Sequence, residues 1–502
     1  MADYSELPLY LDELTMAAID AHMREWCVTR AGWPPPTLTT ENDHYLVMWS
    51  ASGHGETHTR SVTIARHYGG RGGGEVIACS QGIEPASFEM TSDFYQIADR
   101  VRRVAMEGHN AHSWYSLPWP GSFDTTISTL NHACELLYTE DFPTDIQVQI
   151  NHIAGILNRT EYPDGSTRYN ASPMTGEFVD ALRVVLTGTG YGGLSMLCQC
   201  AHDFVVALAS RAQADQSIWD AARHDTANVV EGAIGYFQDW QPNAPQFDLS
   251  DLTATLTLAG AIASIAIPGG GGVLTAGLIG VVSGLGSLAF DHSPDLNPSP
   301  NKATSVSDLL DAFDKALNGG MTGVSYGSSM YEAISACEQV LHDDIGDKAD
   351  LVLAHDEGGQ SFRLNWNQFD GVATSQGIDV DLEGLQVIAD TYIPNILCDL
   401  NEIVSDLRSV ISSTGSYPWQ RPGDLGYPPD SFVNGVAEAT GPFAKWYVLA
   451  EGIINLLDPS QDDSAGGGLH RLASFITNTY VANVRQCEAH DAKACQAIVP
   501  NW

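Results

Sequence analysis

Residues 252–290 run LTATLTLAGAIASIAI, then Pro268 and four glycines (Gly269, Gly270, Gly271, Gly272), then VLTAGLIGVVSGLGSLAF, without one charged side chain. Two helical arms reversed at such a Pro-Gly turn would be apolar on every face, and a surface of that kind must be covered by protein or by lipid. As helices the arms would extend ~24 Å and ~27 Å, just short of the ~30 Å hydrocarbon layer of a bilayer. Gly280 and Gly284 fall on one helical face, a spacing that suits close helix contact. Three readings stand. The hairpin is a core element wrapped by amphipathic helices, a shielded segment that enters a membrane later, or a permanent two-span domain. The lack of Lys or Arg beside either arm counts against the last.

The apolar stretch is the more conspicuous because the rest of the chain is acidic. Asp and Glu number 62 against 23 Lys and Arg, for a formal net charge of −39. Nucleic-acid binding needs clustered cations to displace counterions, and no such cluster exists, so nucleic acid is excluded as a partner. Arg100, Arg102 and Arg103 form the densest basic group and read as the solvated face of a helix. So negative a surface favours solubility and hints at a cationic partner or a crowded exterior. The opening MADYSELPLYLDELTM has neither a basic nor an apolar signal region, so a route other than Sec is expected for any export. The nine Cys form no CxxC pair. Cys198 and Cys200 sit in an apolar helical run and read as small buried thiols. Cys487 and Cys495 could pair only if the chain turns between them, since one helix would hold them ~12 Å apart.

The periodicity predicts a mainly α fold. A short helix is expected within residues 1–20, ended by Gly32-Trp33-Pro34. HYLVMWSAS (44–52) and THTRSVTIARHY (57–68) flank a turn at Gly53–Glu56 and predict a β-hairpin. From Ser92 the spacing turns helical, with Thr91 or Ser92 as N-cap, then breaks at LPWPG (117–121). Helices are expected at 123–138, 145–157 and, with a break at TGTGYGG (187–193), from Glu177 to Trp240. Further helices are expected at 305–318 and 328–345, and a second hairpin at 350–366. The clearest stripe runs Leu382, Leu385, Ile388, Ala389, Tyr392, Ile396 to Ile411, with a kink or break expected at Pro394. Two more helices are expected at 431–457 and 468–495.

Catalytic chemistry leaves little trace. His54, Glu56 and His58 (HGETH) form the strongest metal-like cluster, because period-2 spacing on a strand would aim all three one way. They straddle the predicted turn, which favours an exposed polar tip. There is no HExxH or P-loop, and GGRGGGE (69–75) reads as a loop. No catalytic, cofactor-binding or metal residue is assigned, and no cofactor is expected.

Trp119-Pro120-Gly121 places a W-x-G between two amphipathic helices, VDLEGLQVIADTY (380–392) reads as the opening of a second module, and GDLG (423–426) precedes the last two helices. Tyr447 and Glu451 (YVLAE) set an acid four residues after a tyrosine. On these residues the chain resembles actinobacterial proteins related to the WxG-motif substrates of type VII (ESX) secretion, at the level of pattern over residues 90–495. The resemblance implies helical bundles exported without a Sec signal, with Trp119 and Gly121 at a tight turn where the Trp packs across the helix pair. It implies that Tyr447 and Glu451 belong to an export signal, the two motifs acting as one composite surface.

The expected fold is a mainly α long-helix bundle with a central apolar Gly/Ala-rich hairpin and a small N-terminal β-hairpin unit. Its parts are 1–90, a unit with the β-hairpin; 91–250, a WxG-like bundle; 251–291, the apolar hairpin; 302–375, a helical segment; and 376–502, a second WxG-like bundle. The expected function is non-enzymatic, acting through protein or membrane contact after export to the cell surface or beyond, and cytoplasmic before it. Secretion machinery or a chaperone is the expected partner, with self-association and membrane contact left open. An α-helical pore-forming protein using 252–290 is the first alternative, and a metal-dependent enzyme at 54–58 the second.

Overall fold

The computed structural model describes residues 3–29, 36–53, 56–67, 73–107, 114, 117–137, 145–162, 164–168, 171–188, 193–242, 303–318, 334, 345, 349, 364–369, 379–412, 442–462 and 464–489. The apolar hairpin at 252–290, with Pro268, Gly269, Gly270, Gly271, Gly272, Gly280 and Gly284, lies outside these residues. So do GDLG at 423–426 and nearly all of the stretches 328–345 and 350–366. Among the described residues the chain is mostly helical, with one four-stranded antiparallel sheet.

Helix α1 (Leu7–Thr29) is longer than the short helix expected, because Leu7, Leu11, Leu14 and Ala18 continue as one buried face through Met23, Trp26 and Cys27. The sheet follows in the order β1 (Thr37–Thr40), β2 (His44–Gly53), β3 (Glu56–Ala65), β4 (Val76–Cys79). The register Tyr45↔Ile64 and Val47↔Val62 puts these four buried side chains on one face, as period-2 alternation requires. That face packs through edge-on aromatic contacts, Tyr45 on Phe94 and Trp49 on Phe88, which also meets Trp26 of α1. Arg66 grips both carboxylate oxygens of Asp20 on α1 at 2.9 and 2.6 Å, and the Tyr45 hydroxyl donates to the same carboxylate. Sheet and helix are thereby pinned to each other.

Helix α2 (Thr91–Arg102) continues into a π turn at Arg103–Glu107. Its N-cap is Met90, whose side chain caps nothing, and not Thr91 or Ser92; the helix starts one residue earlier than the polar side chains suggest. Nor is the arginine group wholly solvated. Arg100 bonds Ser307 and Asp311 of a later helix, and Arg103 pairs with Asp99 at 2.9 Å. Helices α3 (Asp124–Leu137), α4 (Asp145–Leu157) and the short α5 (Glu177–Leu182) follow, α5 extended by a π turn at Arg183–Thr187.

Helix α6 (Leu194–Asp239) is the axis of the molecule, 46 residues and so ~69 Å long. It is buried on nearly every side, and its many alanines let α1, α3, α7 (Val306–Asn318) and α10 (Pro442–Leu457) approach it. Its thiols Cys198 and Cys200 are buried as expected, and desolvation pushes them up to about 12 and about 11. Its C-terminus is closed by Arg24 of α1, which donates to the carbonyls of Phe237, Gln238 and Trp240, a cation meeting the negative end of a helix. The Trp240 indole in turn donates to the Ala303 carbonyl at 3.5 Å. Trp240 and Ala303, far apart in sequence, are thereby in contact.

The stripe predicted at 382–411 is real. Helix α8 (Leu382–Val387), a π turn at Ile388–Tyr392 and α9 (Ile393–Val410) form one rod that buries Leu385, Ile388, Tyr392, Ile396, Leu400 and Leu407. The π turn ends two residues before Pro394, with Ile393 N–H reaching back to Ile388 O. The irregularity that Pro394 forces is therefore one wider turn. Helices α11 (Ala465–Phe475) and α12 (Val481–Ala489) are likewise joined by a π turn at Ile476–Tyr480. At the start of α11 the Trp366 ring lies where a Cβ of Gly468 would stand, 2.1 Å from Cζ2.

Candidate recognition surface on the central helix

The W-x-G residues form a turn unlike the one expected. Trp119 leads a single 3-10 turn, Pro120–Phe123, that runs directly into α3, with Ser122 N–H and Oγ both donating to Trp119 O at 3.0 and 2.6 Å. Phe123 is fully buried and anchors the turn, whereas Trp119 is 65% exposed. The expectation that this Trp packs across the helix pair is thus corrected. The two flanking prolines restrict the backbone, and the indole folds over its own Gly121 instead. A Cβ on Gly121 would lie 2.7 Å from Cζ2 and 2.9 Å from Cη2 of Trp119. Glycine is needed here for space under the ring. Its φ is not in the left-handed region, so a conformational reason does not apply.

Two straps hold the turn against α6. The Gln216 amide donates to Pro120 O at 3.2 Å and to Asp124 Oδ1 at 2.6 Å. From the N-terminus, the Tyr4 hydroxyl donates to Trp114 O and accepts from Leu117 N–H at 3.1 Å, while Arg223 of α6 sits 4.3 Å above the Tyr4 ring. Nothing in the sequence identifies Gln216 or Tyr4 as partners of the turn, since both act over long sequence separations.

Tyr447 and Glu451 lie on α10, one turn apart. Tyr447 is half-buried, and desolvation, followed by the charge and hydrogen bond of Glu451, raises its pKa above the ordinary phenol value. The neighbouring Trp446 is fully buried and donates from Nε1 to Leu208 O of α6 at 3.1 Å. Leu208 and Gln216 are eight positions apart on one helix, ~12 Å along its axis. Motifs separated by more than three hundred residues of chain are thus mounted on one stretch of α6.

Between those two mounts α6 carries a buried ion pair. Arg211 Nε and Nη2 bond the two oxygens of Asp215 at 2.6 and 3.2 Å, with both side chains shielded from water. Two charges this deep are tolerated because they face each other. Elsewhere, His132 of α3 meets Asp406 and Glu402 of α9, and His152 of α4 meets Glu161 at 2.5 Å while stacking on Tyr392. Among the described residues, no three His, Cys, Asp or Glu side chains are arranged to hold a metal ion. Of the HGETH cluster, Glu56 and His58 begin β3, and His54 lies outside the described residues. Among the described residues, too, no helix is long and apolar enough to cross a membrane.

No family model, no curated protein and no solved structure matches the chain. Functional meaning has to come from the residues themselves.

Proposed function

We propose that this chain is a non-enzymatic, type VII secretion substrate-like helical protein that works through contact with other proteins. Trp119 with Gly121, and Tyr447 with Glu451, would be its recognition elements. The observation that carries the reading is their shared mount: the W-x-G turn is strapped to α6 at Gln216 and the tyrosine helix is anchored to α6 at Leu208. A composite signal requires two distant motifs to be held at a constant separation, and one rigid helix supplies that. The exposure of Trp119 fits the same role, because an indole meant for a partner must not be consumed by its own core. Export from the native host, scored for Trp119→Ala and Tyr447→Ala beside the unaltered chain, tests it. Loss of the protein from outside the cell in both variants is expected, and unchanged export in both would defeat the reading.

A second reading, an α-helical membrane-inserting protein using 252–290, is favoured by the contact between Trp240 and Ala303. That contact joins described residues on the two sides of the uncharged stretch, so the bundle is closed there without it. Leakage of dye from liposomes checks it. No leakage between pH 4 and 8, with 252–290 protected from protease throughout, would dismiss it.

A further inference from the structure

Resting on the proposal that the Trp119 turn is a recognition element, the geometry points to its partner: we infer that Trp119 docks an arginine-bearing segment of a protein, the guanidinium lying on the indole with acidic side chains beside it. Three observations lead there. First, the indole is presented and held. It is 65% exposed, backed by Gly121 and carried on a turn tied down by Phe123 and Gln216, so little ordering remains to be done on binding. Tryptophan offers the strongest aromatic face for a cation, and a guanidinium can also stack flat upon it.

Secondly, the surroundings are acidic. Asp124 is exposed, and the amide that bonds Pro120 O also bonds Asp124 Oδ1, which places this carboxylate beside the indole's own turn. Asp220 is exposed one turn beyond Gln216 on the same face of α6. The nearby cation, Arg223, is engaged over the Tyr4 ring. Thirdly, the whole molecule carries a formal charge of −39, which steers cationic segments towards it and repels acidic ones and nucleic acid. An uncharged apolar peptide would use the indole and leave the carboxylates unanswered. A lysine would answer the carboxylates but stack less well.

The test uses the full chain labelled with 5-fluorotryptophan, in which the signal missing from Trp119→Phe identifies Trp119. Acetylated tetra-arginine and tetra-lysine amides are the probes, with affinities read by anisotropy of dye-labelled peptides. Tetra-arginine should shift the Trp119 fluorine signal saturably. Its affinity should fall about fivefold or more in Trp119→Leu and less in Trp119→Phe, which keeps an aromatic face. It should fall about threefold in Asp124→Asn, and tetra-lysine should bind about threefold more weakly than tetra-arginine. Equal affinity of Trp119→Leu and the unaltered chain, or equal binding of the two peptides, would overturn the inference and leave only attraction to a polyanion. Far-ultraviolet circular dichroism confirms that each variant is folded, which the exposure of both side chains favours. If Trp119→Leu loses export but keeps its arginine affinity, this inference fails and the export reading survives. The opposite pattern removes Trp119 from the export signal and leaves this inference standing.

Discussion

His132 Nδ1 lies 2.8 Å from Asp406 Oδ2 and so ties α3 to α9 across the bundle. The hydrogen bond to Asp406 is the main cause that raises the His132 pKa above its ordinary value, with the charges of Asp406, Glu402 and Glu135 adding to it against partial desolvation. A histidine whose folded pKa is raised contributes stability that is complete below the unfolded value, about 6.5, and disappears as pH climbs through the folded one. Chemical denaturation should therefore show a decline in stability from about pH 6.5 upward that is reduced in His132→Gln. An identical pH profile for the two proteins would show that the contact carries no proton linkage.

Gly121→Ala places a methyl group where the Trp119 ring now rests. Because that ring is exposed, it can swing aside, and stability should change by less than about 1 kcal/mol. The loss falls on presentation: the fluorine line of Trp119 should shift and broaden, and export should drop towards that of Trp119→Ala. A large fall in melting temperature would mean instead that the indole supports the fold.

Two further glycines should respond with opposite signs. At Gly468 an added Cβ would meet Trp366 at 2.1 Å in a packed region, so Gly468→Ala should cost about 1–3 kcal/mol through overpacking. Gly235 sits in the last turns of α6 with nothing within 4 Å of an added Cβ, and Gly235→Ala should gain about 0.5–1 kcal/mol from helix propensity alone. Urea midpoints of the two variants decide the matter.

The ion pair of Arg211 and Asp215 calls for a double-mutant cycle. Removing one partner leaves a charge buried on α6, and Arg211→Leu or Asp215→Leu should each cost about 3–5 kcal/mol. The double variant should cost less than the sum of the two single changes, because the attraction within the pair is lost only once. Strict additivity would show that the two side chains act independently.

The elements were more legible in the sequence than their contacts. The rod of α8 and α9 stood out because it is half-exposed, so its apolar residues recur at helical spacing and the polar ones separate them; Leu385 to Val410 are buried along one stripe. Hairpin β2–β3 was legible for the same reason at period 2. Helix α6 could be recognised as helical and bounded, but its burial all round erases the one-sided pattern that would reveal which helices touch it. The wider turn before Pro394 was visible as a disturbance and not in its form. At the candidate surface, Trp119, Gly121, Tyr447 and Glu451 could be picked out as a motif, while the exposure of Trp119 ran against the ordinary preference of a large aromatic for the core. The bonds from Gln216, Tyr4 and Trp446 join parts of the chain far apart in sequence, and no local pattern encodes them.

Trp446 offers the most direct check on the shared mount, because it anchors α10 without belonging to the Tyr447–Glu451 motif. Its indole N–H meets Leu208 O in a region closed to water, so Trp446→Phe removes a buried donor and leaves a gap where the larger ring was. The lost hydrogen bond and the void together should cost about 2–4 kcal/mol. Tyr447 and Glu451 remain intact in this variant, so a motif recognised as a linear peptide would export normally. If the motif is read as part of a surface held by α6, export should fall together with the slower proteolysis protection of α10, and a chain that keeps full export while α10 loosens would reject the shared mount.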